Sequence, residues 1–180
     1  AITEKFPNIL FEGCSAGGGR FDAGVLAYMP QIWTSDNSDA IARLKMQYST
    51  SMCYPVYSIS SHVTASPNHQ CGRYTSLKTR ADVAYCGTLY RLINPYETNY
   101  CSWEVVSKDK KHIFVMACKV LAVAQTKSEK VKLQGLDTNK QYRNTFTGKV
   151  YSGDFLMYHG IRANYEMKDF STVVFEFAEI

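Results

Sequence analysis

Near Thr88 the apolar pattern of this chain changes period, and that change restricts the fold more than any other feature of the sequence. Before it, short apolar runs alternate with loops and one segment of helical spacing. Residues 6–12 are too few for a helix and are stopped by Gly13, so they read as a buried strand, as do residues 30–34. Residues 40–48 place Ile41, Leu44 and Tyr48 on one face, which predicts a helix, and the cap residue types just before them nominate Asp36 or Ser38 as its N-cap. Residues 54–60 and 82–86 read as two further strands, separated by a loop with His62, Pro67, His69 and Gly72. Strands alternating with helices or loops imply a parallel α/β arrangement. After Thr88 the apolar residues alternate with period two instead. Residues 100–106 and 112–120 flank a charged hairpin loop, residues 130–134 and 141–144 flank a turn, and residues 171–178 are rich in β-branched and aromatic types. This half reads as an antiparallel β-sandwich. The expected units are 1–88 and 89–180.

Composition narrows the function classes. A chain of 180 residues with 46% hydrophobic residues can bury a sizeable core. A net charge of +4 with scattered Lys and Arg argues against nucleic-acid binding, and no apolar run is long enough to span a membrane. The six cysteines, at 14, 53, 71, 86, 101 and 118, form no C-x-x-C pair and no zinc spacing. They read as reduced core thiols of a cytoplasmic protein, and nothing in their pattern calls for a metal or a cofactor.

In a parallel α/β fold, chemistry collects at the carboxyl ends of strands. Cys14, Asp36 and His62 sit at such ends. The run Gly17-Gly18-Gly19 lets backbone N–H groups approach a ligand without a Cβ in the way, yet no Gly-Lys-Ser/Thr follows and the spacing is not that of a dinucleotide loop. Cys14 with His62 or His69 would make a thiol nucleophile and base, to be weighed against an ordinary packed thiol. His112 and His159 read as surface or core fillers. Trp33, close to Asp36, is placed to face a sugar ring. Among the carboxylates, Asp39 is most simply a helix cap and Asp22 a partner for Arg20, which leaves Asp36 as the candidate catalytic residue.

Three segments, FEGCSAGGGRFD (11–22), PQIWTSD (30–36) and HVTASPNHQ (62–70), resemble in order the microbial α-galactosidases of glycoside hydrolase family 36. A looser likeness continues through LYRLINP (89–95) and YSGDFLM (151–157). The resemblance implies a retaining hydrolase of terminal α-galactosides of the melibiose and raffinose type. It also implies a chain that holds the later portion of a (β/α)8 barrel followed by a carboxyl-terminal antiparallel β-sandwich. Carried over by motif, Asp36 corresponds to the general acid/base, Cys14 with the Gly17 and Gly18 backbone to groups around the galactose 2-hydroxyl, and Trp33 to the wall beside the sugar. Arg20 and Asp22 have at most an orienting role. The implied partners are the galactoside and the rest of the enzyme, an amino-terminal domain plus the early barrel strands, in a homo-oligomer.

Two departures follow from the same comparison. Retaining chemistry requires a nucleophilic carboxylate roughly 5–5.5 Å from the acid/base, and the Lys-Trp-Asp motif that carries it in the family is absent here. At Gly87-Thr88-Leu89 the last barrel strand runs directly into the LYR motif, where family members insert a helical segment. Because a general acid keeps its proton through repulsion from a second carboxylate and through desolvation, the isolated chain is expected to lack galactosidase activity. The alternative reading is a non-catalytic carbohydrate-binding or structural β-sandwich module.

Overall fold

A computed structural model of the chain describes residues 2–85, 90–124, 129–166 and 168–180. Its first half carries α1 (Ile2–Lys5), β1 (Glu12–Gly13), α2 (Ser15–Gly18, a single left-handed turn), α3 (Ala23–Leu26), β2 (Gln31–Trp33), α4 (Ala40–Cys53), β3 (Ile59–Ser60) and α5 (Leu77–Tyr85). The second half carries β4 (Tyr90–Ile93), β5 (Tyr100–Val106), β6 (His112–Lys119), β7 (Lys130–Val131), β8 (Gln141–Asn144), β9 (Val150–Ser152), β10 (Ile161–Arg162) and β11 (Ser171–Glu179). Strands β1, β2 and β3 pair in parallel in that order, Gly13 beside Ile32 and Ile32 beside Ile59. Strands β4, β5, β6, β11, β8 and β9 form an antiparallel sheet of six, and β10 pairs with β7 in a second, smaller sheet. A parallel barrel portion followed by an antiparallel sandwich is thus the architecture.

The period-two pattern of β5 and β6 explains how the two halves meet. Cys101 and Trp103 of β5 and Met116 and Cys118 of β6 point to one face, where they pack with Ile41 and Leu44 of α4 and Val83 of α5. Val106, Ile113, Val115 and Ala117 point to the other face, into the sandwich core with Leu133, Tyr142, Leu156 and Phe177. The large sheet is therefore buried on both faces. The helices are also tied to it by hydrogen bonds, with Thr79 Oγ1 donating to the Phe170 carbonyl (2.6 Å) and Arg91 Nη2 to the Ser51 carbonyl (2.9 Å).

Several sequence expectations change. The strand expected over residues 82–86 is the end of helix α5; Cys86, like the proposed 88/89 boundary, lies outside the described residues. The helix forms because Ser76 Oγ accepts the Thr79 N–H (3.0 Å) at its start, Thr79 and Val83 share its buried face four residues apart, and Lys78 and Asp82 pair one turn apart beside Thr172 of β11. The strand expected over residues 6–12 is reduced to Glu12–Gly13. Ile9 and Leu10 remain exposed at 55% and 67%, because β1 is an edge strand with a partner on one side only among the described residues. The expected strand 54–60 begins as a 3-10 turn over Val56–Ser58 and becomes β3 only at Ile59. The cysteines divide: Cys101 and Cys118 are core residues as expected, whereas Cys14, Cys53 and Cys71 are exposed.

Candidate active site

The site is built where the carboxyl ends of β1 and β2 meet. After Gly13 the chain turns through four consecutive left-handed residues, Ser15, Ala16, Gly17 and Gly18, at φ of 52°, 54°, 76° and 88°. Two of these carry side chains, a strained arrangement that persists only where the surroundings dictate it. What dictates it here is contact with the end of β2. A Cβ on Gly17 would lie 3.0 Å from the Asp36 backbone N and 3.2 Å from the Asp36 carboxyl carbon, and one on Gly18 would lie 2.8 Å from the Trp33 carbonyl oxygen. The glycines let the first loop press against the second strand end, and the Gly18 N–H is already held by the Cys14 carbonyl (2.8 Å).

That contact brings the Cys14 Sγ to 4.0 Å from Asp36 Oδ1, the thiol donating to the carboxylate. Both side chains are exposed, so the pair faces solvent at the open end of the parallel strands. The Cys14–histidine dyad is not formed. Neither His62 nor His69 is within hydrogen-bonding reach of the thiol, and the His62 ring instead lies 4.5 Å from that of Trp33. Burial, reinforced by the nearby Arg43 charge and opposed by Glu12, lowers the His62 pKa below 6.5. The Trp33 ring also lies 4.3 Å from the Arg43 guanidinium, a cation–π contact. His159 is exposed and touches Lys130 Nζ at 3.1 Å, in the second half of the chain.

The other carboxylates have structural roles. Asp39 is the N-cap of α4, its Oδ2 accepting the Ala42 N–H at 2.9 Å, and it pairs with Arg73. Neither Asp36 nor Ser38 is the cap, which leaves the Asp36 carboxylate free of a helix to satisfy. Asp22 caps α3 by accepting the Val25 N–H (3.0 Å) and makes no ion pair with Arg20.

Sequence reasoning passed over Arg43, Asn68 and Gln70. Arg43 is 2% exposed and ties the strand ends together, its Nη2 donating to the Ser60 carbonyl (2.8 Å) and Thr34 Oγ1 (3.3 Å). The available signal was its place in the buried stripe of α4 between Ala40 and Gln47. Gln70 and Asn68 carried no local signal of their hold on the site, since the groups they grip on Asp36 and Ser38 lie about thirty residues upstream. Among the described residues no group of three or more His, Cys, Asp or Glu side chains is arranged to hold a metal ion.

Residues 1–124 match the melibiase family model. The chain belongs to the melibiase family. Residues 100–177 of this melibiase-family chain also match the glycosyl hydrolase family 36 C-terminal domain. It is 43% identical over 209 positions to the α-galactosidase AgaA of Geobacillus stearothermophilus, covering 96% of this chain and 28% of that one. It is 40% identical over 215 positions to the α-galactosidase Mel36A of Lactobacillus acidophilus, covering 99% and 29% respectively. A crystal structure of an AgaA variant in complex with raffinose superposes with a TM-score of 0.93 at 39% identity, covering 99% of this chain and 30% of that one. The chain thus spans under a third of the length of these relatives. The aligned stretches, at 209 and 215 positions, are longer than the 180 residues present, so the relatives carry internal sequence that this chain lacks.

Proposed function

We propose that this chain is the acid/base-bearing part of a retaining α-galactosidase acting on terminal α-galactosides of the melibiose and raffinose type. Residues 1–88 belong to the barrel and residues 89–180 to the carboxyl-terminal sandwich. The observation that carries the reading is the convergence of the Cys14 thiol and the Gly17 backbone on one exposed carboxylate, Asp36, at the open end of parallel strands. In this reading Asp36 protonates the departing glycosidic oxygen and then, as carboxylate, takes the proton of the attacking water. Cys14 and the Gly17–Gly18 turn border the galactose ring, and Trp33, held by Arg43 and His62, walls one side of it. The nucleophilic carboxylate comes from the rest of the enzyme, which also covers the exposed Phe6, Ile9 and Leu10 beside the β1 edge.

The test is a leaving-group series on the full-length enzyme. Asp36→Ala is expected to lower kcat/KM for melibiose at least about a hundredfold while nitrophenyl α-galactoside, whose leaving group needs no proton, falls far less. Equal and small effects on both substrates would refute the assignment. A second reading, sugar binding by the sandwich without cleavage, is favoured by a cleft of about 480 Å³ whose lining includes Tyr151, Phe155, His159, Lys130 and Arg162. Galactose titration by calorimetry separates the two, because binding lost in Cys14→Trp places the sugar at the strand ends and unchanged binding places it in the cleft.

A further inference from the structure

The turn between β2 and α4 has no sheet or helix bonds of its own from Asp36 to Ser38, yet it carries the carboxylate on which the proposed chemistry depends. It is held from outside by residues 68–73. The Gln70 carboxamide spans the turn: its Nε2 donates to the Asp36 carbonyl (2.8 Å), and its Oε1 accepts from the Ser38 N–H (2.8 Å) and the Ser38 hydroxyl (3.1 Å). Gln70 is itself fixed, since its N–H donates to Asn68 Oδ1 (2.9 Å), and Asn68, 3% exposed, donates through Nδ2 to the Ser38 hydroxyl (3.2 Å). Arg73 closes the clamp by pairing with Asp39 at the start of α4.

We propose that Gln70 is a positioning residue for the Asp36 carboxylate, acting through the Asp36 backbone and not on substrate. The inference rests on the reading of Asp36 as the acid/base. An amide is required at this position because the turn presents an acceptor at Asp36 and two donors at Ser38, and a carboxamide is the planar group that offers one donor and one doubly accepting oxygen at that spacing. Glutamate would keep the acceptor for Ser38 but put a second oxygen against the Asp36 carbonyl, so the turn would swing away on that side. Proton transfer to a leaving group depends on sub-ångström placement, and displacement of the order of 1 Å costs up to about a hundredfold.

The discriminating experiment measures kcat/KM of the full-length enzyme on melibiose and on nitrophenyl α-galactoside for Gln70→Glu, Gln70→Ala and Asp36→Ala. Gln70→Glu retains the Ser38 contacts and therefore the fold, so it decides the matter even if the alanine variant fails to fold. Positioning predicts that Gln70→Glu lowers the melibiose value of the order of ten- to a hundredfold while the nitrophenyl value changes little. An equal fall on both substrates, or no fall on either, would overturn the proposal, the first by showing a merely structural role. If Asp36→Ala itself leaves the ratio of the two substrates unchanged, the acid/base reading fails and not the clamp alone.

Discussion

Glu104 offers the sharpest test of how the sandwich is stabilised. It lies on β5 at 0% exposure, with Oε2 accepting the Gln134 N–H at 2.8 Å and Oε1 without a hydrogen-bond partner. Burial, offset in part by that hydrogen bond, pushes its carboxyl from the usual 4.5 up to about 8. At neutral pH the folded chain therefore holds a proton that the unfolded chain releases. Between pH 4.5 and pH 8 the native state binds more protons than the denatured state, so stability falls as pH rises: the neutral side chain is tolerated in full below the unfolded pKa, and the penalty is complete above the folded one. At 1.36 kcal/mol per pKa unit the whole displacement corresponds to about 5 kcal/mol, an upper bound since a relaxed core admits water once the group ionises.

Glu104→Gln removes the titration and keeps the acceptor for Gln134. Its amide N–H groups meet the same dry surroundings that leave Oε1 unpaired, at a pH-independent cost of about 1–3 kcal/mol. The variant is therefore expected to be the less stable protein near pH 5 and the more stable one near pH 9. Urea unfolding at a series of pH values, followed by the emission of the buried Trp103 in a Trp33→Phe background, measures the crossing directly. Other titrating groups cancel in the difference between the two proteins. Parallel stability profiles across pH 5–9 would refute the burial argument.

Two further outcomes follow from contacts around the site. Gly18→Ala would drive a Cβ to within 2.9 Å of two carbonyl oxygens, those of Trp33 and Thr34, at a φ of +88°, and is expected to lower kcat/KM of the full-length enzyme by at least about tenfold. Gly148→Ala, equally left-handed at +70° but with nothing within 4 Å of the new atom, is the control and should stay within about twofold; equal losses in both would show that backbone strain and not the strand-end contact matters. Asp39→Ala removes the α4 cap and the partner of Arg73 and should cost on the order of 2 kcal/mol in urea unfolding, with an unchanged midpoint counting against the cap.

What the sequence disclosed and what it withheld divide along the range of the interactions concerned. The β2–turn–α4 unit and the β5–β6 hairpin are set by apolar period, cap chemistry and turn residues within about twenty positions, and both appear where the pattern puts them. Helix α5 was obscured because the Val83-Ala84-Tyr85 run looks like half a strand when read apart from Ser76 and Thr79, which start the helix. Glu104 could not be placed, because a charged residue in a period-two strand ordinarily marks the wet face and only the assembled sheet shows that both faces are covered.

The site follows the same rule with a further consequence. Cys14 and Asp36 are legible as strand-end residues, but what fixes the geometry between them is non-local: a glycine turn whose missing Cβ atoms face Trp33 and Asp36, and a loop some thirty residues downstream that holds the turn through side-chain amides. Neither device leaves a periodic trace, since each depends on a loop reaching a distant part of the chain. On the proposed reading, a carboxylate so placed has its own position determined within this chain, and its reaction partner comes from outside it. A strand laid along the β1 edge would bury Ile9 and Leu10, now 55% and 67% exposed, and extend the parallel sheet in the direction in which a barrel closes, which on the same reading is the side from which that partner arrives.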